Sequence, residues 1–297
     1  MQMFPDFDAA QRCDKLEHPL FEGGNYDVFV KREDLVHPKL NGNKWRKLKY
    51  NIEAYKKSDC KSILSFGGAY SNHLAALSYA SNLYDFPLFM IVRGEQPKTP
   101  SNTLKFAEEC GVNLIYVSRA EYRRRTEQEW LQELQNKYNA YIIPEGGSNI
   151  EGVKGCMEIL PENVYDYVMV ATATGATLAG LSASCDEKTK CIGISVLNDQ
   201  GFLMDAVLNF HNALSIKRTN YTIISDYTHG GYAKRSPTLD QFIRSFNLNH
   251  SIPIEFVYSG KLFFAFFDLL KNGYFKEGSR ILLVHTGGLQ YMEDQSN

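Results

Sequence analysis

The sequence predicts an α/β protein with two open, twisted parallel-sheet domains. Short apolar runs with the length of buried strands alternate with longer segments that have helical spacing and polar caps. Three of the apolar runs end in turns rich in glycine, serine or threonine. This alternation is typical of parallel sheets with right-handed crossovers, whose ligands bind beyond the carboxyl ends of the strands.

The first series of alternating elements lies between Lys61 and Ile143. The predicted strands are KSILSF, PLFMIV, VNLIYV and AYIIP, and the predicted helices are SNHLAALSYASNL, SNTLKFAEECG and the segment around EQEWLQELQNKY. The helices begin near serine or asparagine, which cap the free N–H groups of a first turn. We therefore predict a smaller α/β domain, residues 48–154, inserted into a larger one.

The second series forms the larger domain, residues 1–47 and 155–297. Its predicted strands are YDYVMVA, CIGISVL and RILLVH, and its predicted helices are TLAGLSAS and GKLFFAFFDLLKNG. The chain has no proline-rich linker between the two series. We therefore expect the two domains to pack closely, with the functional site in the cleft between them.

Composition excludes several classes of protein. The net charge of -2 over 297 residues gives no basic bias toward nucleic acid. The six cysteines form no CxxC pair and the seven histidines no HExxH motif, which predicts free thiols in a reducing cytoplasm and no metal site. The start of the chain lacks a secretory pattern, and no apolar run reaches the roughly 20 residues that span a bilayer. We expect a cytoplasmic protein without membrane or nucleic-acid partners. We also expect a homodimer, a state that composition does not determine.

The glycine-rich turns are SILSFGGAYSNH, VMVATATGATLAGL and ILLVHTGGLQ. In the second, Thr174, Gly175, Ala176 and Thr177 lie between a strand and a helix start, where backbone N–H groups and hydroxyls can bind a phosphate. The same residues are also compatible with an ordinary capped strand–helix turn. A dinucleotide site is disfavoured, because GxGxxG is missing and the next strand ends near Asn198 rather than at an acidic residue.

The segment NGNKWRKLKY contains four cations close behind Gly42. A lysine becomes a Schiff-base former when burial or neighbouring cations lower its pKa, and Arg46, Lys47 and Lys49 could act on Lys44 in this way. The alternative is a basic surface helix with Lys47 and Lys49 in solvent. A lysine, a phosphate turn and a third turn with a hydroxyl together favour pyridoxal phosphate.

At these residues the chain resembles the tryptophan-synthase-β-like, fold type II, pyridoxal-phosphate enzymes. Within them it resembles the D-cysteine desulfhydrase/1-aminocyclopropane-1-carboxylate deaminase family. KREDL, GNKWRKL, SFGGAYSNHLAAL, IPEGGSN, ATGATLAGL, VYSGK and HTGG occur in that family's order and cover nearly the whole chain. Two stretches depart from the family pattern: ATGAT stands where GSGGT-like sequences are commoner, and HGGYAKRSP stands where GGGYG is usual.

The resemblance implies roles for individual residues. Lys44 matches the family's Schiff-base lysine, and residues 174–177 match the phosphate loop. Ser71, Asn72 and His73 match a loop in which asparagine faces the cofactor ring and serine, with its neighbours, holds the substrate carboxylate.

Further residues follow from the same resemblance. Tyr258 and Tyr232 match two tyrosines on the substrate side. Thr286 lies where a hydroxyl bonds the pyridine nitrogen. Ser259 is the second hydroxyl residue at a position that distinguishes members of the family, and the two are called the hydroxyl pair below. Deaminases that open the cyclopropane ring carry Glu and Leu at these two positions, so the pair resembles the desulfhydrases.

The resemblance thus implies a lyase that acts on a small amino acid, with Lys44 as the base for the α-proton. D-Cysteine, converted to pyruvate, ammonia and hydrogen sulfide, is the expected substrate. Three alternatives stay open: a 1-aminocyclopropane-1-carboxylate deaminase, another pyridoxal-phosphate reaction such as racemisation or a different elimination, and a non-enzymatic protein that binds a phosphate ligand.

Overall fold

The computed structural model describes residues 12–40, 42–160, 164–198 and 201–289. These residues form two compact units. The large unit contains residues 12–37, 42–43, 156–160, 164–198 and 201–289, and the small unit contains residues 38–40 and 44–155.

Ten strands and ten α-helices are found in the described part of the chain. Strands β1 to β10 are Cys13–Leu16, Asp27–Arg32, Ser62–Gly67, Leu88–Arg93, Asn113–Val117, Ala140–Ile142, Tyr167–Thr172, Lys190–Ser195, Tyr221–Ile224 and Arg280–His285. Helices α1 to α10 are Asn43–Lys57, Asn72–Tyr84, Asn102–Glu109, Arg119–Tyr122, Gln128–Tyr138, Ile150–Cys156, Ala176–Ser184, Phe202–Ala213, Pro237–Asn249 and Ser259–Lys271. All the strands and helices named from the sequence are confirmed.

The large unit is built on a six-stranded sheet with the order β1-β2-β10-β7-β8-β9. Five of its strands are parallel, and β1 pairs antiparallel to β2, with Cys13 opposite Lys31. A parallel sheet was predicted from β7, β8 and β10, and neither this antiparallel edge strand nor β2 and β9 was predicted from the sequence. A short connection leads from β1 back to β2, and only an antiparallel neighbour can be reached without a long crossover.

The core of the large unit contains the apolar helix α10. Phe263, Phe266 and Phe267 of this helix pack with strand residues such as Ile281 and Leu283. Lys261 lies in the same helix and is fully buried. The helix therefore follows the predicted apolar pattern but carries one charge inside the core.

The small unit contains a four-stranded parallel sheet with the order β5-β4-β3-β6. Its core joins Leu64 and Phe66 of β3 to Ile91 of β4 and to Trp130 and Leu134 of α5. Strand β3 is buried along its whole length, as its continuous apolar run predicted.

The described residues show neither a membrane-spanning helix nor a metal-binding cluster. Within those residues, no helix combines the length and hydropathy that a membrane span requires. The same part of the chain contains no group of three or more histidine, cysteine, aspartate or glutamate side chains placed to hold a metal ion.

Candidate active site

The predicted phosphate turn connects β7 to α7 in the large unit. Gly175 precedes the helix with φ of 79°, a left-handed conformation that favours glycine. Ala176 and Thr177 begin the helix and are buried, and no side chain caps its N-terminus. Because only Gly175 needs the left-handed conformation, alanine is accommodated at position 176. The N–H groups of the first turn and the positive end of the helix dipole are suited to an anion, as the predicted phosphate turn requires.

Asn43 connects this turn to the HTGG turn. Its side-chain Nδ2 donates to Thr177 Oγ1 at 2.9 Å, and its backbone N–H donates to the carbonyl of Thr286 at 3.3 Å. The preceding Gly42 has φ of 68°, and a Cβ atom there would overlap the Thr286 carbonyl oxygen. Glycine is therefore required for this close approach. Asn43 was not among the residues predicted from the sequence, although it stands between the glycine and the lysine of GNK.

The KREDL segment holds the backbone of Gly42 in place. The backbone N–H of Gly42 donates to the carbonyl of Glu33 at 2.8 Å. Glu33 and Lys31 form a buried ion pair at 3.5 Å. The Arg32 guanidinium donates three hydrogen bonds to the Asp34 carboxylate, of 2.9, 3.3 and 2.8 Å. Removing one member of such a pair leaves a buried charge without compensation, so the segment is expected to tolerate few changes.

The basic turn that contains Lys44 opens helix α1 and belongs to the small unit. Lys44 is partly buried, whereas Arg46 and Lys47 are buried, with Lys47 only 3% exposed. Lys47 Nζ lies 3.5 Å from Ser148 Oγ. Lys49 lies 5.0 Å from the centre of the Tyr50 ring. The interpretation of this segment as a basic surface helix, with Lys47 in solvent, is therefore wrong.

His73 is the second residue of helix α2 and is buried. Ser65 Oγ donates its hydrogen to the Ile143 carbonyl at 2.7 Å, so His73 Nε2 must donate to Ser65 at 2.8 Å. Burial, followed by the charges of Lys44 and Lys47, lowers the pKa of His73 to about 3. His73 is therefore neutral at physiological pH and cannot offer a cation to a substrate carboxylate.

Ser71 and Asn72 stand at the N-terminus of the same helix. Ser71 caps it, with Oγ accepting from the N–H of Leu74 at 3.2 Å. Because capping uses the oxygen as acceptor, the hydroxyl hydrogen can be donated to an anion. Among the residues that the structure describes, Asn72 Oδ1 is buried and has no hydrogen-bond partner. A buried polar atom of this kind is a position that a ligand can satisfy.

The two predicted tyrosines lie together in the large unit. Tyr258 OH donates to Tyr232 OH at 3.3 Å, and their ring centres are 6.0 Å apart in an edge-to-face arrangement. Ser259 is buried, and its hydroxyl bonds Glu255, accepting from the backbone N–H at 2.9 Å and donating to Oε1 at 3.3 Å. Because the Ser259 hydroxyl already bonds Glu255, Thr286, which is 9% exposed, is a better candidate than Ser259 for the hydroxyl at the pyridine nitrogen.

A family model described as pyridoxal-phosphate dependent enzyme matches residues 13–287 of the chain. The chain belongs to this pyridoxal-phosphate-dependent enzyme family. The protein is therefore an enzyme that depends on pyridoxal phosphate, and the predicted cofactor is confirmed. Each unit carries a feature that fits part of such a ligand: in the small unit Asn72 Oδ1 is a buried polar atom suited to the ring, and in the large unit the N-terminus of α7 has N–H groups suited to the phosphate.

Two relatives within the family share most of the chain. A bifunctional D-cysteine desulfhydrase/1-aminocyclopropane-1-carboxylate deaminase from Arabidopsis thaliana is 27% identical, and the match covers 91% of this chain and 74% of the relative. A 1-aminocyclopropane-1-carboxylate deaminase from Mesorhizobium japonicum is 25% identical and covers 94% of this chain and 91% of the relative.

Solved structures show the same fold. The crystal structure of a homologue of 1-aminocyclopropane-1-carboxylate deaminase superposes with a TM-score of 0.81 at 24% identity, covering 96% of this chain and 93% of the other. Serine racemase from Dictyostelium discoideum superposes with a TM-score of 0.69 at 14% identity, covering 94% and 92%. The predicted fold type II class is confirmed.

Proposed function

We propose that this family member catalyses the α,β-elimination of a small β-substituted amino acid, with D-cysteine as the substrate. The products are pyruvate, ammonia and hydrogen sulfide. The observation that carries the substrate choice is the hydroxyl pair, Ser259 and Thr286, both buried at positions where the ring-opening deaminases carry Glu and Leu.

Besides Lys44, three groups of the chain would hold the cofactor. N–H groups of residues 175–177 and the Thr177 hydroxyl would bind the phosphate, because Asn43 uses only an acceptor position of that hydroxyl. The Asn72 amide would face the ring, and the Thr286 hydroxyl would bond the pyridine nitrogen. Bound pyridoxal phosphate withdraws electrons from the α-carbon of an amino acid, and the protein selects which bond breaks.

A neutral hydroxyl at the pyridine nitrogen leaves that nitrogen largely unprotonated. With the Thr286 hydroxyl as its neutral partner, the bound ring would withdraw electrons less strongly, which would favour rapid loss of a leaving group from the β-carbon of the substrate. Sulfide is a good leaving group and needs little further assistance. The neutral partner therefore supports elimination over transamination.

The substrate would be oriented by the small unit's residues. The Ser71 hydroxyl and the N-terminus of α2 would bind its carboxylate. The Lys44 amine would take the α-proton, the Cα–Cβ double bond would form, and the Cβ–S bond would break with its electron pair leaving on sulfur. Water then converts the released enamine to pyruvate and ammonia. Tyr258 and Tyr232 are the proposed tyrosines on the substrate side.

A second candidate activity is the opening of 1-aminocyclopropane-1-carboxylate, because both relatives described above carry that deaminase activity in their names.

A homodimeric state and a cytoplasmic location are further proposals, and light scattering of the purified protein tests the homodimeric state. The cleft position of the site also stays a prediction.

A substrate panel tests the proposed reaction. Purified protein loaded with pyridoxal phosphate is given D-cysteine, L-cysteine and 1-aminocyclopropane-1-carboxylate, and 2-oxo acid and sulfide are measured together. We expect equal amounts of pyruvate and sulfide from D-cysteine and little 2-oxobutanoate from the cyclic amino acid. Efficient ring opening without action on D-cysteine would overturn the choice of branch. Turnover of none of them by the loaded protein would overturn the substrate class.

A further inference from the structure

Glu255 is a buried carboxylate directly before the VYSGK motif. It is 2% exposed and accepts hydrogen bonds from three consecutive backbone amides. Its Oε2 accepts from Val257 at 2.5 Å, and its Oε1 accepts from Tyr258 at 2.8 Å and from Ser259 at 2.9 Å. The peptide groups on both sides of Tyr258 are therefore fixed by one side chain.

The carboxylate replaces an ordinary cap of helix α10. Tyr258 is the N-cap residue of this helix and supplies no side-chain hydrogen bond to it. The backbone of Glu255 closes the turn from the other side, since its N–H donates to Ser259 Oγ at 2.9 Å and its carbonyl accepts from Gly260 at 2.6 Å. A Cβ atom at Gly260 would lie 2.6 Å from that carbonyl oxygen, so this close turn requires glycine.

Lys261 joins the same turn to the loop that carries Tyr232. It is fully buried, and its Nζ donates to the carbonyl of Gly231 at 2.7 Å, with the carbonyl of Val196 at 3.5 Å. Gly231 directly precedes Tyr232. The anchored carbonyl therefore lies in the peptide bond that leads into the tyrosine.

Both groups are costly to bury, because a charge loses its hydration inside a protein core. Burial raises the pKa of Glu255, and the hydrogen bonds from the turn oppose that rise. Burial lowers the pKa of Lys261 to about 8, and Glu255 opposes that fall. An exposed serine would cap a helix at far lower cost. The carboxylate and the ammonium instead fix two peptide segments whose tyrosines touch each other.

We propose that Glu255 and Lys261 are positioning residues for the tyrosine pair: Glu255 sets the backbone of Tyr258, and Lys261 sets the backbone of Tyr232. The inference rests on the proposed function, which places both tyrosines on the substrate side. Neither charged side chain touches the substrate. Each acts through the tyrosine whose peptide group it holds.

Double-mutant cycles on the loaded enzyme test this inference. Glu255→Gln keeps one oxygen for Tyr258 and Ser259 but turns an amide N–H₂ toward the N–H of Val257, so the turn must shift. We expect kcat/KM for the substrate to fall at least about tenfold in the wild-type background and less than about twofold in the Tyr258→Phe background. Lys261→Met should show the same pattern against Tyr232→Phe. Additive effects in both cycles would overturn the inference.

Asp268→Asn is the matched control for Glu255→Gln. Asp268 lies on the same helix and accepts a 2.8 Å hydrogen bond from Tyr227, a different tyrosine. Its effect should be the same with and without Tyr258→Phe. If Asp268→Asn couples to Tyr258 as strongly as Glu255→Gln does, general loosening of the helix explains the result and the inference fails.

Amide hydrogen exchange gives a readout that does not depend on turnover. Exchange of residues 257–259 should rise in Glu255→Gln, and exchange of the loop around residues 230–234 should rise in Lys261→Met, while cofactor content stays at the wild-type level. Unchanged exchange in both segments would contradict the inference. Failure of the unaltered enzyme to turn over any substrate would count against the proposed function alone, because exchange still reports whether the two charges hold the two segments.

Discussion

Asn43 Nδ2 donates a 2.9 Å hydrogen bond to Thr177 Oγ1, across a sequence separation of 134 residues. The residue directly before Lys44 is thereby fixed on the turn that we propose binds the cofactor phosphate. Asn43 is 6% exposed and Thr177 is 4% exposed, so the bond is shielded from water. It gives the GNK segment a defined starting point for the helix whose second residue is Lys44.

Replacement of Asn43 by alanine should weaken cofactor binding without unfolding the protein. The variant leaves Thr177 without its donor and frees the backbone before Lys44, so we expect the dissociation constant for pyridoxal phosphate to rise about tenfold, equivalent to one buried hydrogen bond of about 1.4 kcal/mol. Equilibrium dialysis measures it. Asn220→Ala is the control, because the Asn220 side chain donates to the backbone carbonyls of Asp186 and Thr189 and lies outside the proposed site residues. Equal affinity of the two variants would contradict the role of Asn43.

Substitutions of Gly175 separate backbone strain from charge. Alanine and aspartate are both strained at φ of 79°, and a Cβ atom at position 175 would lie 3.3 Å from side-chain atoms of Ala206 and Val207. Both should lower stability by a similar amount, about 1–2 kcal/mol. Only Gly175→Asp adds a negative charge, and it should lower cofactor affinity at least about tenfold beyond Gly175→Ala. Equal affinities of these two variants would mean that the phosphate binds elsewhere.

His73 should make stability depend on pH. Its pKa is about 3 in the folded protein, against an ordinary value of 6.5, so the unfolded chain takes up a proton first as pH falls. The free energy of unfolding therefore decreases below about pH 6.5, and from about pH 7 to pH 5 this one group contributes a loss of about 2 kcal/mol. Urea denaturation of wild type and His73→Gln should show curves that diverge by this amount. Parallel curves would refute the buried, neutral state of His73.

Much of the fold could be predicted because its signals are local. Continuous apolar runs such as the one in β3, and the caps at Ser71 and Ser101, depend on residues within a few positions of each other. The same holds for the turn at Gly175, where a strand, a glycine and a helix start follow directly. Strand β1 was missed because four residues at a sheet edge carry too little periodicity.

The supporting residues of the site could not be predicted in the same way. Asn43 has a partner far along the chain, and the burial of Lys47 depends on what packs over helix α1, which the spacing of cations does not reveal. Glu255 did leave a local signal, an acidic residue inside the apolar stretch PIEFVY four positions before a helix start. An acidic residue in an apolar run just before a helix therefore indicates a buried carboxylate that caps the helix.

Covalent labelling of Lys44 tests the central claim most directly. Borohydride reduces the carbon–nitrogen double bond between pyridoxal phosphate and its lysine, and peptide mapping then identifies the labelled residue. We predict a single label on Lys44, no label after Lys44→Ala, and an unchanged label after Lys49→Ala. A label on Lys47, Lys49 or any other lysine of the wild-type protein would contradict the account.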